Sequence, residues 1–301
     1  MAWAGKQALK DQYGYGHYGT VAGHAERWRR FVTWCRDERD IRDARLIDKE
    51  VVQDYGKSLG EKITAGMSPA NAQNLLSTIN VVMQAMRSDR QIRVAPVEFV
   101  GQRSRTRTDP PAGLDQRAVR QCADQLRRDG HERVAATVEV ARALGLRLKE
   151  ASLLNARVAL GQVKKQGAVN ITAGTKGGRG HRVDRWVPVS GSAIGGLIRA
   201  AKAQGSGRNL IPSHLTWKLW YSHIHHVWAS VREDYGLKKF HDLRAAYACD
   251  RFRQLTGSAA PVIAGRVCVD PSTDRAARQT IAQELGHARI EVVATYIGGA
   301  R

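Results

Sequence analysis

Three stretches in the first third of the chain repeat their apolar residues at intervals of three and four positions, which is the period of an amphipathic helix. The first, TVAGHAERWRRFVTWCRDE, starts at Thr20, a side chain suited to capping a helix N-terminus. The second is DKEVVQDYGKSLGEKI, and the third, SPANAQNLLSTINVVMQAMRS, opens with Ser68 and Pro69, a pair typical of a helix start. We therefore expect a helical domain over residues 19–95, preceded by a flexible arm over the Gly- and Tyr-rich residues 1–18.

The helical period disappears in PVEFVGQRSRTRTDPPAG, which begins at residue 96. This stretch holds three prolines, and Arg103, Arg105 and Arg107 alternate with small polar residues. Such a composition is typical of a linker, so residues 96–112 predict the boundary between two domains. Alternating arginines suit a strap along a phosphate backbone, which makes the three arginines candidate DNA contacts.

Helical periodicity returns after the linker and is interrupted once by a different pattern. From residue 113 onward the apolar spacing predicts helices, with breaks near Asp129 and at Gly145. The segment QVKKQGAVNITAGTKGGRGHRVDRWVPVS then places β-branched runs on both sides of a turn rich in Lys and Gly. This pattern predicts an antiparallel hairpin or small sheet, which we expect to have three strands and to carry Lys176 at its edge. The predicted fold class is mainly α with a small antiparallel β-sheet, in two domains, the second spanning residues 113–301.

The charge of the chain points to its class of partner. Of 301 residues, 48 are Lys or Arg and 28 are Asp or Glu, for a formal net charge of +20. An excess of this size favours a polyanion, because phosphate contacts release condensed counterions. Ribosome association and binding to an anionic membrane are the competing explanations. Ordinary hydrophobic content (43%) without an amphipathic basic tail counts against both.

The sequence shows no sign of a membrane span, a secretion signal or a metal site. No apolar stretch approaches the ~18 residues of a spanning helix. The opening MAWAGKQALKDQYGYG lacks the apolar core of a signal peptide. The cysteines are scattered without a CxxC pair, which argues against disulfides and zinc and favours a reducing cytosol. We expect a cytoplasmic protein without a bound metal; the four cysteines are Cys35, Cys122, Cys249 and Cys268.

Several residues of the second domain have potential for chemistry, and each also has an ordinary structural explanation. Arg147 lies between apolar runs, where it either serves a site or pairs with Glu150 to hold a helix start. Lys176 sits in the hairpin turn, where most lysines are simply solvated. His241 and Arg244 are three residues apart and share a helix face, so they converge on a ligand or form a surface pair.

Two further candidates lie near the end of the sequence. His287 follows a glycine at a predicted turn, and Tyr296 ends the amphipathic stretch after it. A core tyrosine with a satisfied hydroxyl is the ordinary explanation. The alternative is a nucleophile.

The order of these residues carries more information than any one of them. In the motifs GLRLKEA, TKGGRGHRVDRWVPV, HDLR and LGH, followed by a tyrosine nine residues after His287, the chain resembles the tyrosine recombinase family of phage-integrase type. The resemblance covers residues 114–301 and, more weakly, the N-terminal helices, which are similar to the family's core-binding domain. It implies Glu150 as the acidic residue behind the first arginine. It also implies six catalytic residues, which are Arg147, Lys176, His241, Arg244, His287 and Tyr296.

The resemblance implies a covalent reaction in which Tyr296 attacks a DNA phosphodiester and forms a 3′-phosphotyrosine link. Arg147 and Arg244 suit this chemistry because they clamp the non-bridging oxygens with permanent positive charge. Lys176 would protonate the leaving 5′ oxygen. The histidine of LGH would contact the phosphate, and the histidine of HDLR would handle protons or orient the site. The link stores the bond energy for rejoining, so no cofactor, metal or ATP is implied.

The implied function is site-specific recombination that integrates or excises a mobile genetic element. A resolvase of chromosome or plasmid dimers would use the same chemistry, and a type IB topoisomerase would use similar residues without pairing two sites. The alternative from a different class is a non-catalytic DNA-binding protein on this fold. A pure binder has no need of Tyr296, which argues against that alternative.

The resemblance also implies the partners. We expect double-stranded DNA with specific recombination sites, held in a C-shaped clamp of the two domains, with Arg179 and Arg182 of the hairpin turn as further candidate contacts. We expect a homotetramer on paired sites, a monomer when free, and accessory directionality or DNA-bending proteins. The setting would be a prokaryotic cytoplasm, with the protein on the nucleoid when bound to DNA.

Two features depart from the family pattern. Arg244 and His287 lie 43 positions apart, more than compact members need, and residues 255–280 predict an inserted loop with Pro and Gly. Only IGGAR follows Tyr296 in the sequence, which leaves open whether subunits exchange a C-terminal segment.

Overall fold

The computed structural model describes residues 1–299, apart from the side chains of Arg179, His181 and Ser192. The described chain divides into two compact units, Met1–Ser104 and Arg105–Arg301. The division falls inside the stretch 96–112 in which the sequence predicts a linker.

The N-terminal unit is helical. All of its helices contribute to one apolar core, in which Trp28 and Phe31 are fully buried. Ser68 caps a helix by accepting a hydrogen bond from the backbone N–H of Asn71, as the Ser-Pro pattern predicts. The helices are α1 (Ala2–Tyr13), α2 (Tyr18–Arg39), α3 (Lys49–Thr64), α4 (Pro69–Arg87) and α5 (Pro96–Val100).

The predicted flexible arm over residues 1–18 is wrong for most of its length, because α1 packs into the core. Leu9 of α1 is fully buried. Gly5 allows α1 to approach α2 closely, since a Cβ at Gly5 would lie 2.4 Å from Nε1 of Trp28. The buried residues of α1 are Gly5 and Leu9. Two buried positions are too few for the helix to be recognised from the spacing of apolar residues.

The start of the predicted linker is also part of the N-terminal unit. Val100 of α5 is buried. The Phe99 ring covers a glycine of α3, where a Cβ at Gly56 would lie 2.8 Å from it. The irregular segment therefore begins after α5.

The second unit is mostly helical around a single core that includes Trp220, Trp228 and Phe252. Its first helices are α6 (Gln116–Arg128), α7 (Glu132–Leu144), α8 (Leu148–Ser152) and α9 (Ala156–Gln166). Its strands are β1 (Ala168–Asn170) and β2 (Trp186–Pro188). The later helices are α10 (Gly191–Gln204), α11 (Trp217–Val231), α12 (Phe240–Thr256), α13 (Pro261–Ala264), α14 (Pro271–Glu284) and α15 (Ala294–Ile297).

The strands form an antiparallel hairpin in which Val169 pairs with Val187. Three strands were expected, and the described residues form two. Ile171, Thr172 and Val183 lie in the connection between β1 and β2 rather than in a strand. A 3₁₀ turn in that connection, Lys176–His181, carries the predicted hairpin lysine. The fold class, mainly α with a small antiparallel sheet, agrees with the prediction.

The predicted loop at residues 255–280 is largely helical. It contains the end of α12, all of α13 and most of α14. Ala260 and Pro261 are buried against the core of the unit. Arg278 of α14 donates hydrogen bonds to the carbonyl oxygens of Gly298 (3.0 Å) and Gly299 (3.0 Å). This segment therefore holds the chain that follows Tyr296.

Candidate active site

Tyr296 lies in α15 with its hydroxyl between an arginine and a histidine. The hydroxyl oxygen is 3.3 Å from Nε of Arg244 and 3.0 Å from Nε2 of His287. Tyr296 is 4% exposed and Arg244 is fully buried. The hydroxyl is thus in the interior of the unit, and it points toward the predicted catalytic groups.

The contacts of Arg244 define which nitrogen of His287 carries a proton. Nη2 of Arg244 lies 3.3 Å from the same Nε2 that contacts Tyr296. A guanidinium can only donate, so Nε2 must present its lone pair. The tyrosine O–H can then donate to Nε2 while its oxygen accepts from Nε of Arg244. The arrangement is that of a hydroxyl with a base on one side and a cation on the other.

The first turn of α12 explains why Arg244 and His241 reach the same place. Asp242 accepts a hydrogen bond from the backbone N–H of Lys239 (3.2 Å) and so starts the helix. His241 and Arg244 then lie three residues apart on one face. Both side chains approach Tyr296, and the ring centroid of His241 lies 5.5 Å from that of Tyr296. The backbone carbonyls of Gly145 and Leu285 accept from Arg244 and fix its position.

Arg147 and Glu150 together start α8. Glu150 accepts from the backbone N–H of Arg147 (2.8 Å) and from its Nη1 (2.6 Å). The side chain of Arg147 is about a quarter exposed, whereas Glu150 is buried. The ordinary explanation of the pair and the catalytic one are both compatible with this geometry, because the ion pair leaves part of the arginine side chain open to solvent.

Glu150 is the single carboxylate for three guanidinium groups. Besides Arg147, it contacts Nη1 of Arg185 at 2.9 Å and Nη1 of Arg244 at 3.5 Å. Burial alone would raise the pKa of Glu150, but the charges of Arg185, Arg244 and Arg147 outweigh it and hold that pKa below its usual value. Burial lowers the pKa of Arg244 to about 10, which leaves it charged at neutral pH. Three positive charges therefore face one negative charge, an excess suited to an anion.

Both site histidines are held neutral. Desolvation, followed by the charges of Arg244 and Arg147, lowers the pKa of His287 to about 4. The same causes lower the pKa of His241, although that residue is exposed at one side. At neutral pH each imidazole can therefore accept a proton.

Lys176 lies outside this group of direct contacts. It is exposed on the turn between the strands, and it lines a cavity of about 130 Å³ together with Arg147 and His287. The turn approaches α8 closely at Gly174, where a Cβ would lie 2.7 Å from the carbonyl oxygen of Lys149. The structure thus brings Arg147, His241, Arg244, His287 and Tyr296 together and places Lys176 at the mouth of the same site.

The arginines predicted to contact DNA differ in how they are held. Arg105 is exposed, and Arg103 donates to Oδ1 of Asn74 (3.3 Å). Arg107 is bound within the second unit, donating to Oδ1 of Asp242 (2.7 Å) and to the carbonyl of Asp109. Arg107 therefore links the start of the second unit to the helix that carries His241. An arginine held in this way differs from one that is free to lie along a phosphate backbone. Arg182 is exposed on the hairpin turn, and the side chain of Arg179 lies outside the described part of the chain.

Sequence reasoning missed one residue of the cluster, Arg185. It is 6% exposed, and besides Glu150 it reaches the carbonyl oxygen of Glu284 (2.7 Å). The motif TKGGRGHRVDRWVPV contains it, but its neighbours in the sequence, Asp184 and Trp186, gave no sign of burial. Across the described residues, no group of three or more His, Cys, Asp or Glu side chains is arranged to hold a metal. Likewise, no described helix is both long and apolar enough to span a membrane.

Comparison with known proteins shows which family the second unit is similar to and which fold the chain has. Residues 106–250 match the family model described as Integrase. The resemblance to the tyrosine recombinases is confirmed. No curated protein matches the chain significantly.

Three solved structures illustrate the likeness in fold. The Tn1549 transposon integrase in complex with transposon right end DNA is 10% identical, with a TM-score of 0.64, over 100% of this chain and 96% of that one. A lambda integrase dimer bound to a COC′ core site is 15% identical, with a TM-score of 0.61, over 99% and 95%. The XerH site-specific recombinase bound to palindromic difH substrate is 16% identical, with a TM-score of 0.52, over 93% and 76%. The whole chain therefore has a tyrosine recombinase fold.

Proposed function

We propose that the protein is a site-specific DNA recombinase that cuts and rejoins DNA through a covalent 3′-phosphotyrosine intermediate, integrating or excising a mobile element. The observation that carries the proposal is the hydroxyl of Tyr296 between Arg244 and His287. A structural tyrosine needs one partner for its hydroxyl. Here the partners are a lone pair that can take its proton and a cation that stabilises the resulting phenolate.

The reaction follows from the arrangement of donors and acceptors. Nε2 of His287 takes the phenolic proton as the oxygen of Tyr296 attacks phosphorus. The bond from phosphorus to the 5′ oxygen breaks, and that oxygen takes a proton from Nζ of Lys176. Arg147 and Arg244 stabilise the negative charge that builds on the non-bridging oxygens. Rejoining is the reverse reaction with a new 5′ hydroxyl, so it needs no external energy source.

The charge balance of the cluster supports a phosphodiester as the substrate. Around Glu150, three guanidinium groups exceed one carboxylate by two positive charges. A phosphodiester brings one negative charge, and its five-coordinate transition state brings more. The cluster thus fits the transition state better than the ground state, which is the condition for catalysis.

The proposal extends to the partners. DNA with a specific site would bind as a duplex to one protomer, and four protomers would assemble on two sites in the cytoplasm. The solved relatives were captured on DNA, and one of them as a dimer. We propose that free protein is a monomer, which sedimentation with and without paired sites would test.

The proposed reaction is tested with nicked duplexes from the DNA on either side of the coding sequence. A nick just beyond the cleavage point releases a short fragment after attack and so traps the covalent product. We expect a protein–DNA adduct that survives denaturation with the native chain and is absent with Tyr296→Phe, while both bind the duplex equally. An adduct formed by Tyr296→Phe would overturn the assignment of the nucleophile. Equal binding without any adduct from the native chain would favour the non-catalytic DNA-binding protein.

A further inference from the structure

Arg185 joins three parts of the second unit. It directly precedes β2, and its backbone N–H donates to Oδ1 of Asn170 (2.9 Å) across the hairpin. Its Nη1 donates to Glu150 in α8 (2.9 Å), and its Nε donates to the carbonyl of Glu284 at the end of α14 (2.7 Å). One side chain therefore connects the hairpin, α8 and the end of α14.

The side chain of Arg185 also covers the turn that presents His287. A Cβ at Gly286 would lie 3.0 Å from Cδ of Arg185 and 3.3 Å from its Nη1. Gly286 has a φ of +67°, a conformation that glycine adopts without strain. The positive φ and the close approach of Arg185 both favour glycine at this position.

The second terminal nitrogen of Arg185, Nη2, is buried and has no hydrogen-bond partner among the described residues. A buried donor without a partner is destabilising, and more so when it is charged. Burial, followed by the charge of Arg147, acts to lower the pKa of Arg185, against the opposing effect of Glu150. Stability alone does not account for an arginine here.

The turn that bears Lys176 is fixed to α8 at both of its ends. Gly174 lies against the backbone of Lys149 and Glu150 where the turn begins. Arg185 pairs with Glu150 where the turn ends. The carboxylate that holds Arg147 thus also holds one end of the connection that bears the hairpin lysine.

We propose that Arg185 is a positioning residue for proton transfer from Lys176 to the leaving 5′ oxygen. The inference rests on the proposed function. Arg185 itself exchanges no proton: the bond from Tyr296 to phosphorus forms, the bond from phosphorus to the 5′ oxygen breaks, and the proton on that oxygen comes from Nζ of Lys176. Arg185 holds the turn so that Nζ faces the same phosphate as Arg147.

The test compares two leaving groups in the nicked-duplex assay. In one duplex the bridging 5′ atom at the cleavage point is oxygen, and in the other it is sulfur. A thiolate leaves without a proton because thiols are far more acidic than alcohols, with a pKa of about 8.5. A defect in proton donation is therefore rescued by sulfur, whereas a defect in phosphate clamping or folding is not.

We expect Arg185→Gln to slow adduct formation on the oxygen duplex by about 10²–10⁴-fold, the range for loss of general acid catalysis. Lys176→Ala should slow it similarly, and the sulfur duplex should bring both variants within about tenfold of the native chain. The matched control is Arg251→Gln, since Arg251 pairs with another buried carboxylate, Glu284, at 2.8 Å. It should react normally on both duplexes.

Three outcomes would overturn the inference. The first is that Arg185→Gln reacts with the oxygen duplex at the native rate. The second is that Arg185→Gln stays slow on the sulfur duplex although Lys176→Ala is rescued there. The third is that the sulfur duplex does not rescue Lys176→Ala. Arg185→Lys keeps the charge but loses the forked contacts. It gives the same test if the glutamine variant unfolds, which thermal melting would show. A native chain that forms no adduct on either duplex would refute the proposed function itself, so the two failures are distinguishable.

Discussion

Because a guanidinium donates hydrogen bonds and never accepts them, the contacts around Tyr296 have one consistent direction. Arg244 donates to the tyrosine oxygen and to Nε2 of His287, and the hydroxyl donates to that same nitrogen. His287 is neutral at neutral pH because burial and the charges of Arg244 and Arg147 lower its pKa to about 4, so Nε2 keeps the lone pair that both donors need. A protonated imidazole at this position would have no lone pair and would repel Arg244.

Arg147 gives a sharp prediction at the residue scale. Replacing it by Lys keeps a positive charge but loses the planar fork, so it should reduce adduct formation by about 10²–10³-fold, comparable to the loss of one transition-state donor. The matched control is Arg199→Lys, because Arg199 also pairs with a buried glutamate, Glu139, at 2.8 Å. Rates of adduct formation measured at saturating DNA should be low for Arg147→Lys and close to native for Arg199→Lys. Equal rates for both variants would make Arg147 a structural residue.

The lowered pKa of His287 predicts how stability depends on pH. The unfolded chain takes up the proton near pH 6.5, whereas the folded chain does so only near pH 4. Stability is therefore complete above pH 6.5, falls as the pH drops from 6.5 to 4, and changes no further below that for this group. His287→Asn should reduce the loss of melting temperature between pH 7 and 4.5. An unchanged pH profile in His287→Asn would contradict the lowered pKa.

The six candidate residues could be picked out from the sequence because their order is informative even though each alone is not. The spacing of His241 and Arg244 also gave their shared face correctly. Arg185 was missed because burial of a charged residue depends on a partner, Glu150, that is 35 positions away in the sequence. A short strand with three residues gives no period from which such burial can be recognised.

At the scale of elements, the spacing of apolar residues identified the longer helices. It failed for helices that are short or that bury few residues. The helices α2, α3 and α4 were predicted because each buries at least four residues. The helix α1 buries only Gly5 and Leu9, so its period was hidden. The segment 255–280 looked like a loop because α13 has four residues and starts at a proline, Pro261.

The packing of α1 can be tested with two glycines of the N-terminal unit. Replacing a helical glycine by Ala normally stabilises by about 0.5–1 kcal/mol. At Gly5 the added methyl meets Trp28, so Gly5→Ala should instead lower the free energy of unfolding by about 1–3 kcal/mol. Gly19→Ala is the control, since a Cβ there meets nothing within 4 Å. Urea titration should show that the two variants change the free energy of unfolding in opposite directions or by clearly different amounts. Equal shifts would mean that α1 does not pack as described.

At the scale of the whole molecule, the net charge of +20 makes a prediction independent of the catalytic residues. Each phosphate contact releases counterions, so the logarithm of DNA affinity should fall linearly with the logarithm of salt concentration, by about 0.9 per contact. A protein with six to ten contacts loses about 10³–10⁵ in affinity between 50 and 200 mM salt. Titration of Tyr296→Phe with duplex DNA measures this slope without cleavage. A flat profile would contradict a phosphate-tracking interface.

The central claim is that Tyr296 becomes covalently joined to a 3′ phosphate of DNA. The most direct measurement is mass spectrometry of the adduct from a nicked duplex after digestion with trypsin and nuclease. The predicted result is a single modified peptide, containing Tyr296 and carrying one nucleotide through its 3′ phosphate. A nucleotide attached to any other residue, or attached through a 5′ phosphate, would contradict it.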